Sequence, residues 1–268
     1  MRRNLVYTIA LDRPGETGHR NMAKLLVSSL LRTRFSGDIV VFHTTPYPLF
    51  MVERESVREV QVQLPRNVPK DGAFVGFAQS FKHEIADQID TTDYDKVMFI
   101  DCDSVVLRNI DHLLDGDWDL AVFAEQGSRI HEFCWGAYLS SEEVRSIDRE
   151  GYNSGTVAVR ASLFREFLDR WRAVEEQPML QKNFLREQGA FNRVVLDWPV
   201  RTIEWPQKEI ALPLVRENLV CYLDYHDSAL VHAASGAPID FKTRFLFGVF
   251  ASVFLHDTQL TLFNTLEM

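Results

Sequence analysis

The chain has 268 residues, of which 46% are hydrophobic and 25% charged, and its formal net charge at pH 7 is −9. This composition is that of a globular protein, and the acidic balance argues against nucleic-acid binding, which normally needs a basic surface. Three cysteines, Cys102, Cys134 and Cys221, are too widely spaced for a zinc motif or a disulfide framework, so we expect a reducing, cytoplasmic environment.

The first part of the chain alternates between predicted strands and helices. Residues 5–11 predict a strand, because this short apolar run lacks the small-residue cleavage site of a signal peptide. An amphipathic helix is predicted over residues 19–35, followed by strands over residues 38–45 and 57–65. Residues 76–89 predict the next helix.

A wholly apolar strand at residues 97–100 is followed by two carboxylates. The absence of polar residues predicts a strand that is buried on both faces. Residues at positions i and i+2 of an extended segment project to the same side, so Asp101 and Asp103 converge. Carboxylates this close repel each other unless a positive group lies between them, which favours a divalent cation. The alternative is a polar turn at the end of a strand.

The alternation of strands and helices continues through the second part of the chain. Strands are predicted over residues 119–124 and 156–160, and helices over residues 161–176 and 184–197. This order is typical of an α/β layered fold with a mostly parallel sheet, which we expect to form one domain over residues 1–268. In such sheets ligands bind at the carboxyl ends of the strands.

An apolar C-terminal segment, residues 241–257, is not explained by the predicted α/β sheet or by a ligand site at its edge. Its uninterrupted apolar part is too short to span a bilayer, and it lacks the charged face of a surface helix. Three interpretations stay open: burial within the domain, a homodimer contact, and a peripheral contact with a membrane surface. The dimer ranks above the membrane, because only Lys242 and Arg244 supply nearby positive charge.

Four motifs of this sequence occur in the order that is typical of one enzyme family. They are YDKVMFIDCDSVVLRNID, YNSGTVAVR, REQGAFNRVVLD and LVHAASG. In order and separation they resemble glycosyltransferase family 8, the glycogenin and lipopolysaccharide-galactosyltransferase group of nucleotide-diphospho-sugar transferases. The resemblance covers about the first 240 residues. It implies the GT-A fold, a Rossmann-like α/β architecture with a mostly parallel central sheet flanked by helices.

The resemblance implies a metal site made by Asp101, Asp103 and His232. The expected ion is manganese, with magnesium as the alternative, held against the diphosphate of the donor. For His232 alone, the alternative is an ordinary buried or surface histidine. The family's Lys-Pro-Trp motif, whose lysine binds phosphate, is missing here. Lys242 or Arg244 are the candidates to replace that lysine.

The resemblance also implies a donor-binding site around the metal. Glu187 and Gln188 match the family's Asp-Gln pair, where the acid binds sugar hydroxyls and the next residue lies near the anomeric carbon. We therefore assign both to catalysis, against the alternative of exposed positions on an amphipathic helix. The implied donor-binding residues are Thr8, Ala10, Leu11, Lys82, Asp101, Cys102, Asp103, Asn153, Ser154 and Gly236.

Several of these donor-binding assignments have a structural alternative. Lys82 is equally explained as a solvated lysine on a helix. Asn153 and Ser154 belong to an Asn-Ser-Gly triplet that also fits a turn before the strand at residues 156–160. Within the Asp-x-Asp motif, Cys102 points to the opposite face from the carboxylates and is expected to pack, not to act as a nucleophile. Gly236 lies one position later than the family's glycine.

The function that this resemblance implies is transfer of a sugar from a nucleoside diphosphate donor, UDP-linked in our expectation, to an acceptor hydroxyl. Configuration at the anomeric carbon would be retained, and we favour a front-face route over double displacement, because Gln188 is a weak nucleophile. Two alternatives stay open: a sugar-phosphate nucleotidyltransferase, and a non-catalytic protein that binds nucleotide sugars. For the acceptor, the open alternatives are a glycan, a lipid-linked saccharide, a protein and a small molecule.

Overall fold

The computed structural model describes residues 3–13, 15–50, 55–64, 82–130, 135–180, 186–213, 215–216, 219–220, 225, 227–234 and 237–255. Twelve strands lie within these residues. They are β1 Arg3–Ala10, β2 Asp38–His43, β3 Val57–Gln61, β4 Tyr94–Ile100, β5 Ser104–Val106, β6 Leu120–Arg129, β7 Glu150–Arg160, β8 Thr202–Glu204, β9 Ile210–Ala211, β10 Val215–Arg216, β11 Leu219–Val220 and β12 Leu230–His232. The α-helices are α1 Gly18–Arg32, α2 Lys82–Ala86, α3 Ser141–Ser146, α4 Phe164–Glu175, α5 Arg186–Asp197 and α6 Ile239–Phe254.

The central sheet of the described residues has the strand order β3-β2-β1-β4-β7-β6-β8. Six of its strands run parallel, and β7 runs antiparallel between β4 and β6. The predicted α/β class with a mostly parallel central sheet flanked by helices is therefore confirmed. Its more specific assignment to the GT-A fold stays a prediction.

Apolar side chains pack on both faces of this sheet. On β4, Met98 and Ile100 belong to a core that includes buried residues of α1 and α6. Val97 and Phe99 belong to a second core, which includes buried residues of α4 and α5. The prediction that the strand at residues 97–100 is buried on both faces is confirmed. At the carboxyl end of the strand the apolar residues stop and the chain continues into Asp101.

A smaller sheet lies beside the carboxyl end of β4 and consists of β5, β12 and β9. Its middle strand, β12, pairs antiparallel with β5 and parallel with β9. In this register His232 is opposite Ser104, the residue after Asp103. The pairing brings two segments that are far apart in sequence to one place.

Several element boundaries differ from the sequence prediction. The strand predicted from residue 156 begins at Glu150, because Tyr152 and Asn153 pair with Ala124 and Phe123 of β6. Asn153 and Ser154 therefore lie within β7, and the alternative of a turn at this triplet is wrong. The helix predicted over residues 161–176 begins with a 3₁₀ turn. The beginnings of the helices predicted from residues 76 and 184 lie outside the described residues.

Residues 241–254 of the apolar C-terminal segment belong to α6, which packs with one face on the core that includes α1. Residues 256 and 257 lie outside the described residues. Leu246, Val249 and Phe250 are buried on this face. Val253, on the outer side of the helix, is 40% exposed. Burial within the chain therefore accounts for the inner face of the segment. No helix among the described residues is long and apolar enough to cross a membrane.

Candidate functional site

The two carboxylates of the Asp-x-Asp motif are held in place by backbone hydrogen bonds to neighbouring strands. The backbone N–H of Asp101 donates to the carbonyl of Gly155 in β7 at 2.7 Å. The carbonyl of Asp103 accepts from the N–H of Ala233 at 2.9 Å, directly after β12. These contacts join the end of β4 to both sheets, so the position of each carboxylate follows from the strand pairing.

Asp101, Asp103 and His232 come together as the sequence predicts. One potential ligand atom from each lies within 4.8 Å of the others. Nε2 of His232 is 3.2 Å from Oδ1 of Asp103 and 3.7 Å from Oδ2 of Asp101. Two carboxylates and one imidazole suit a divalent cation such as manganese or magnesium, and the group can hold a metal ion.

The surroundings of this metal triad also fit a cation. A Cβ atom placed on Gly155 would lie 2.3 Å from Cε1 of His232 and 2.5 Å from Oδ2 of Asp101. Only glycine therefore leaves room beside these two groups. The His232 side chain is buried, and its Nδ1 has no hydrogen-bond partner among the described residues. The imidazole thus has one nitrogen directed at the carboxylates and no protein partner shown for the other.

In each aspartate of the metal triad, the carboxylate oxygen that does not face His232 lies near the ammonium group of a lysine. Nζ of Lys242, on α6, is 2.6 Å from Oδ2 of Asp103. Nζ of Lys82, at the start of α2, is 3.5 Å from Oδ1 of Asp101. Of the two candidates to replace the family's phosphate-binding lysine, Lys242 lies at the site, whereas Arg244 is exposed. The alternative of Lys82 as a solvated lysine is wrong, because it is only 8% exposed.

The charges of the triad and its lysines stabilise each other. Burial opposes ionisation of Asp103, but Lys242 and His232 outweigh it and hold the pKa of that carboxyl well below its usual range. Burial also opposes the charged forms of His232 and Lys242, yet the nearby aspartates raise the pKa of both groups. The structure therefore favours a carboxylate at Asp103 and a protonated Lys242.

Lys82 connects the metal triad to the predicted catalytic residues on α5. Its Nζ lies 3.2 Å from Oε1 of Glu187 as well as near Asp101. Burial would lower the pKa of Lys82, but the two carboxylates outweigh it and raise the pKa. For Glu187 burial dominates over the attraction of Lys82, and the pKa of Glu187 is raised. One ammonium group thus bridges two acidic side chains with different predicted roles.

Glu187 and Gln188 are buried, at 2% and 9% exposure, so the alternative of exposed helix positions is wrong. Both side chains meet Ser154 of β7. The Ser154 hydroxyl lies 2.8 Å from Oε1 of Gln188 and 3.2 Å from Oε2 of Glu187, where it donates to either oxygen. Nε2 of Gln188 donates to the carbonyl of Tyr152. The structure therefore brings Glu187, Gln188 and Ser154 together beside Lys82.

Asn153 has an acidic neighbour, Glu125, which the sequence analysis missed. Its Nδ2 donates to Oε2 of Glu125 at 2.9 Å, and its Oδ1 accepts from the N–H of Gly155 at 2.8 Å. Glu125 is half-buried in the middle of β6, directly after Ala124, where the pairing of β6 with β7 shifts in register. The signal available in the sequence was a charged residue directly after the apolar run of residues 120–124, at the edge of the sheet where ligands bind.

The remaining predicted donor-binding residues are Cys102, Thr8, Ala10, Leu11 and Gly236. Cys102 points into the core with α1, as expected, and burial, with smaller effects of Asp103 and Asp101, raises the pKa of its thiol well above the usual range. Thr8, Ala10 and Leu11 are buried along and just after β1, and their contact with a donor stays a prediction. Gly236 lies outside the described residues.

Fold and site together define an α/β protein with a candidate metal centre at the carboxyl edge of its sheet. A scan of the chain against protein-family models finds no match, and a search of curated proteins finds none either. The family resemblance of the motifs therefore enters the functional argument as a proposal.

Proposed function

We propose that the protein is a metal-dependent glycosyltransferase of the GT-A fold, similar to glycosyltransferase family 8. It would transfer a sugar from a UDP-linked donor to an acceptor hydroxyl with retention of configuration, using manganese or, in its place, magnesium. The observation that carries the proposal is the position of Lys82, which contacts both Asp101 of the metal triad and Glu187 of α5. A cation site and a set of buried hydrogen-bonding groups are thereby joined in one place.

This combination matches the chemistry of a nucleotide sugar, in which a diphosphate is attached directly to a polyol. A divalent cation supplies charge neutralisation for the diphosphate and stabilises the departing nucleotide. Asp101, Asp103 and His232 are the residues that would hold it. Glu187 and Asn153 offer acceptor and donor groups that suit sugar hydroxyls. Glycine at position 155 lets the side chains of His232, Asp101 and Asn153 lie close to its backbone.

The hydrogen bonds of Gln188 support a front-face route for retention. Its Oε1 accepts from Ser154, and its Nε2 donates to the Tyr152 carbonyl. An amide that is engaged at both ends and nearly buried is poorly placed to attack an anomeric carbon. In our proposal Gln188 positions the sugar, and the acceptor hydroxyl approaches on the side that the diphosphate leaves. The charge that develops on the sugar ring would be stabilised by the nearby carboxylate of Glu187.

The proposal is tested by incubating the full chain with a panel of UDP-sugars and manganese and measuring release of UDP, with and without a chelator. We expect release to depend on the metal. The Asp103→Asn variant should lose more than about 100-fold in rate, because loss of even an outer partner of a metal ligand typically costs 10–100-fold.

Asp115→Asn, at an exposed aspartate away from the site, is the matched control and should keep the wild-type rate. Melting curves of both variants verify that each is folded. Full turnover by Asp103→Asn, or turnover unaffected by the chelator, would contradict the metal assignment. Consumption of a nucleoside triphosphate and a sugar phosphate instead of a UDP-sugar would contradict the transferase assignment.

A further inference from the structure

The metal triad and its two lysines share one pattern of contacts. In each aspartate one carboxylate oxygen faces His232, and the other faces a lysine. For Asp103 these are Oδ1 at 3.2 Å from Nε2 of His232, and Oδ2 at 2.6 Å from Nζ of Lys242. For Asp101 they are Oδ2 at 3.7 Å from the same nitrogen, and Oδ1 at 3.5 Å from Nζ of Lys82. The imidazole of His232 thus lies between the two aspartates, and each aspartate has a lysine at its other carboxylate oxygen.

This arrangement balances the charge of the triad without any ligand. Two carboxylates are matched by two ammonium groups, and Glu187 adds one further acidic group next to Lys82. The side chains of Lys82 and Lys242 are 9% and 14% exposed, so their attraction to the aspartates is weakly screened by solvent. A dication alone would therefore meet carboxylates that already have counter-ions, and an anion alone would meet lysines that are already paired.

We infer that Lys82 and Lys242 are built-in counter-ions that make the site accept a divalent cation and a diphosphate together, and each of them only weakly alone. The inference rests on the proposed function for the choice of these two ligands. When a cation is held by the aspartates, the ammonium groups are no longer needed to balance them. Both lysines carry flexible stems, so they are free to turn to phosphate oxygens, which bind ammonium groups well.

The inference predicts that one substitution changes two affinities in opposite directions. Lys242→Met keeps an apolar stem of similar length and removes the charge. Binding of Mn²⁺ alone should become tighter, on the order of tenfold, because Asp103 loses its competing counter-ion. Binding of the preformed manganese–pyrophosphate complex should become weaker by a similar factor, because an anion partner is lost. A substitution that merely damaged the site would weaken both.

The measurements use the full chain and no sugar. Free Mn²⁺ is determined by electron paramagnetic resonance during titration with protein, and the manganese–pyrophosphate complex by equilibrium dialysis. Arg244→Met, at an exposed position two residues further along α6, is the matched control and should change neither affinity. Lys242→Arg, which keeps the charge, should not gain affinity for Mn²⁺ alone.

Opposite changes of the two affinities in Lys242→Met would support the inference. Changes of the same sign, or no change, would overturn it. If Lys242→Met does not fold, Lys82→Met provides the same test, since Lys82 has the equivalent position at Asp101. Neither probe contains a sugar, so failure of this test leaves the transfer assay standing. Failure of the transfer assay likewise leaves the binding result interpretable.

Discussion

At the scale of single residues, the site is a continuous series of contacts between buried charged and polar groups. It runs from Lys242 through Asp103, His232 and Asp101 to Lys82, and from there through Glu187 to Ser154 and Gln188. Buried charges in such a series depend on their partners, because an unpaired buried charge is costly. Each member therefore has a defined effect when it is removed.

Glu187 separates recognition of the sugar from recognition of the nucleotide in the proposed function. Glu187→Ala should weaken binding of the intact UDP-sugar by about 1.5–3 kcal/mol, the usual contribution of a charged hydrogen bond. Binding of free UDP should stay nearly unchanged. Calorimetric titration with both ligands in the presence of manganese measures the difference. Equal losses for the two ligands would show that Glu187 does not address the sugar.

A substitution at Gly155 tests whether the space beside the metal triad admits a side chain. In Gly155→Ala the new methyl group would overlap with the buried imidazole of His232 and the carboxylate of Asp101. We expect weaker Mn²⁺ binding and loss of activity, because the two side chains must move apart. Gly248→Ala on α6 is the matched control, since nothing lies within 4 Å of its added Cβ. That control should bind Mn²⁺ normally and gain about 0.5–1 kcal/mol of helix stability. Normal Mn²⁺ binding by Gly155→Ala would contradict the steric argument.

At the scale of elements, the start of α1 is capped by a residue outside the helix. Thr17, in the N-cap position, makes no side-chain hydrogen bond to the helix. Instead the Asp12 carboxylate, two residues after β1, accepts from the backbone N–H groups of His19 and Arg20, each at 2.9 Å. A negative charge at this end of a helix is favourable. Asp12 thereby connects the end of β1 to the first turn of α1.

The cap makes stability depend on pH. Burial raises the pKa of Asp12, but hydrogen bonds from His19 and Arg20 outweigh it, and the pKa lies below its usual value. Because the folded value is the lower one, the contribution is complete above the unfolded pKa of about 3.9 and is lost as pH falls through the folded value. We expect the free energy of unfolding to fall more steeply below about pH 4 in wild type than in Asp12→Asn. Urea titrations between pH 3 and pH 7 measure the free energy of unfolding of both proteins. The same pH dependence in wild type and Asp12→Asn would contradict the prediction.

Helix α6 gives the second prediction at this scale. Phe250 is wholly buried against the core with α1, whereas Val253 on the same helix is 40% exposed. Phe250→Glu should therefore destabilise the chain by more than about 3 kcal/mol or cause aggregation, because it places an unpaired charge in the core. Val253→Glu, the matched control, should stay within about 0.5 kcal/mol of wild type. Urea unfolding and light scattering provide both readouts.

A homodimer contact of α6 stays a prediction, and the same pair of variants tests it. If Phe250→Glu were a stable, folded monomer of a dimeric wild type, Phe250 would belong to an interface instead of the core. A change of mass in Val253→Glu alone would place a partner on the exposed side of the helix.

The elements that the sequence predicts well are those whose pattern is local. The apolar run before Asp101 predicts β4, and the spacing within α1 and α5 predicts amphipathic helices. The beginning of β7 at Glu150 is different, because it depends on pairing with β6 across a shift in register. Strand pairing of this kind reflects tertiary context more than propensity.

The site shows the same division between local and long-range information. The convergence of Asp101 and Asp103 follows from residue spacing alone. Their contacts with Lys242 and His232 join residues more than 120 positions apart in the chain. The strand β12 is too short for its sequence to indicate which strand it pairs with. The position of Lys82 between two carboxylates likewise depends on how α2 packs against α4, through contacts such as that of His83 with Glu175. Family resemblance indicated these residues, but their contacts needed the structure.

At the scale of the whole molecule, the net charge of −9 opposes binding of an anionic donor. Local positive charge has to overcome this repulsion, and within the described part of the site Lys82 and Lys242 supply it. A divalent cation would add the rest of the positive charge that an anionic donor needs. The acidic molecule should therefore show little affinity for a nucleoside diphosphate without metal, and this dependence is measurable as thermal stability.

A ligand that binds only the folded state raises the free energy of unfolding by about 2.7 kcal/mol when present at 100 times its dissociation constant. For a chain of this size each kcal/mol corresponds to roughly 2–4 °C in Tm, so manganese with UDP should raise Tm by roughly 5–10 °C. Manganese alone, or UDP with a chelator, should raise it by much less. Asp103→Asn should show no joint effect, while Asp115→Asn should respond as wild type does. An equal shift from UDP with and without metal would show that the nucleotide binds without the site at Asp101, Asp103 and His232.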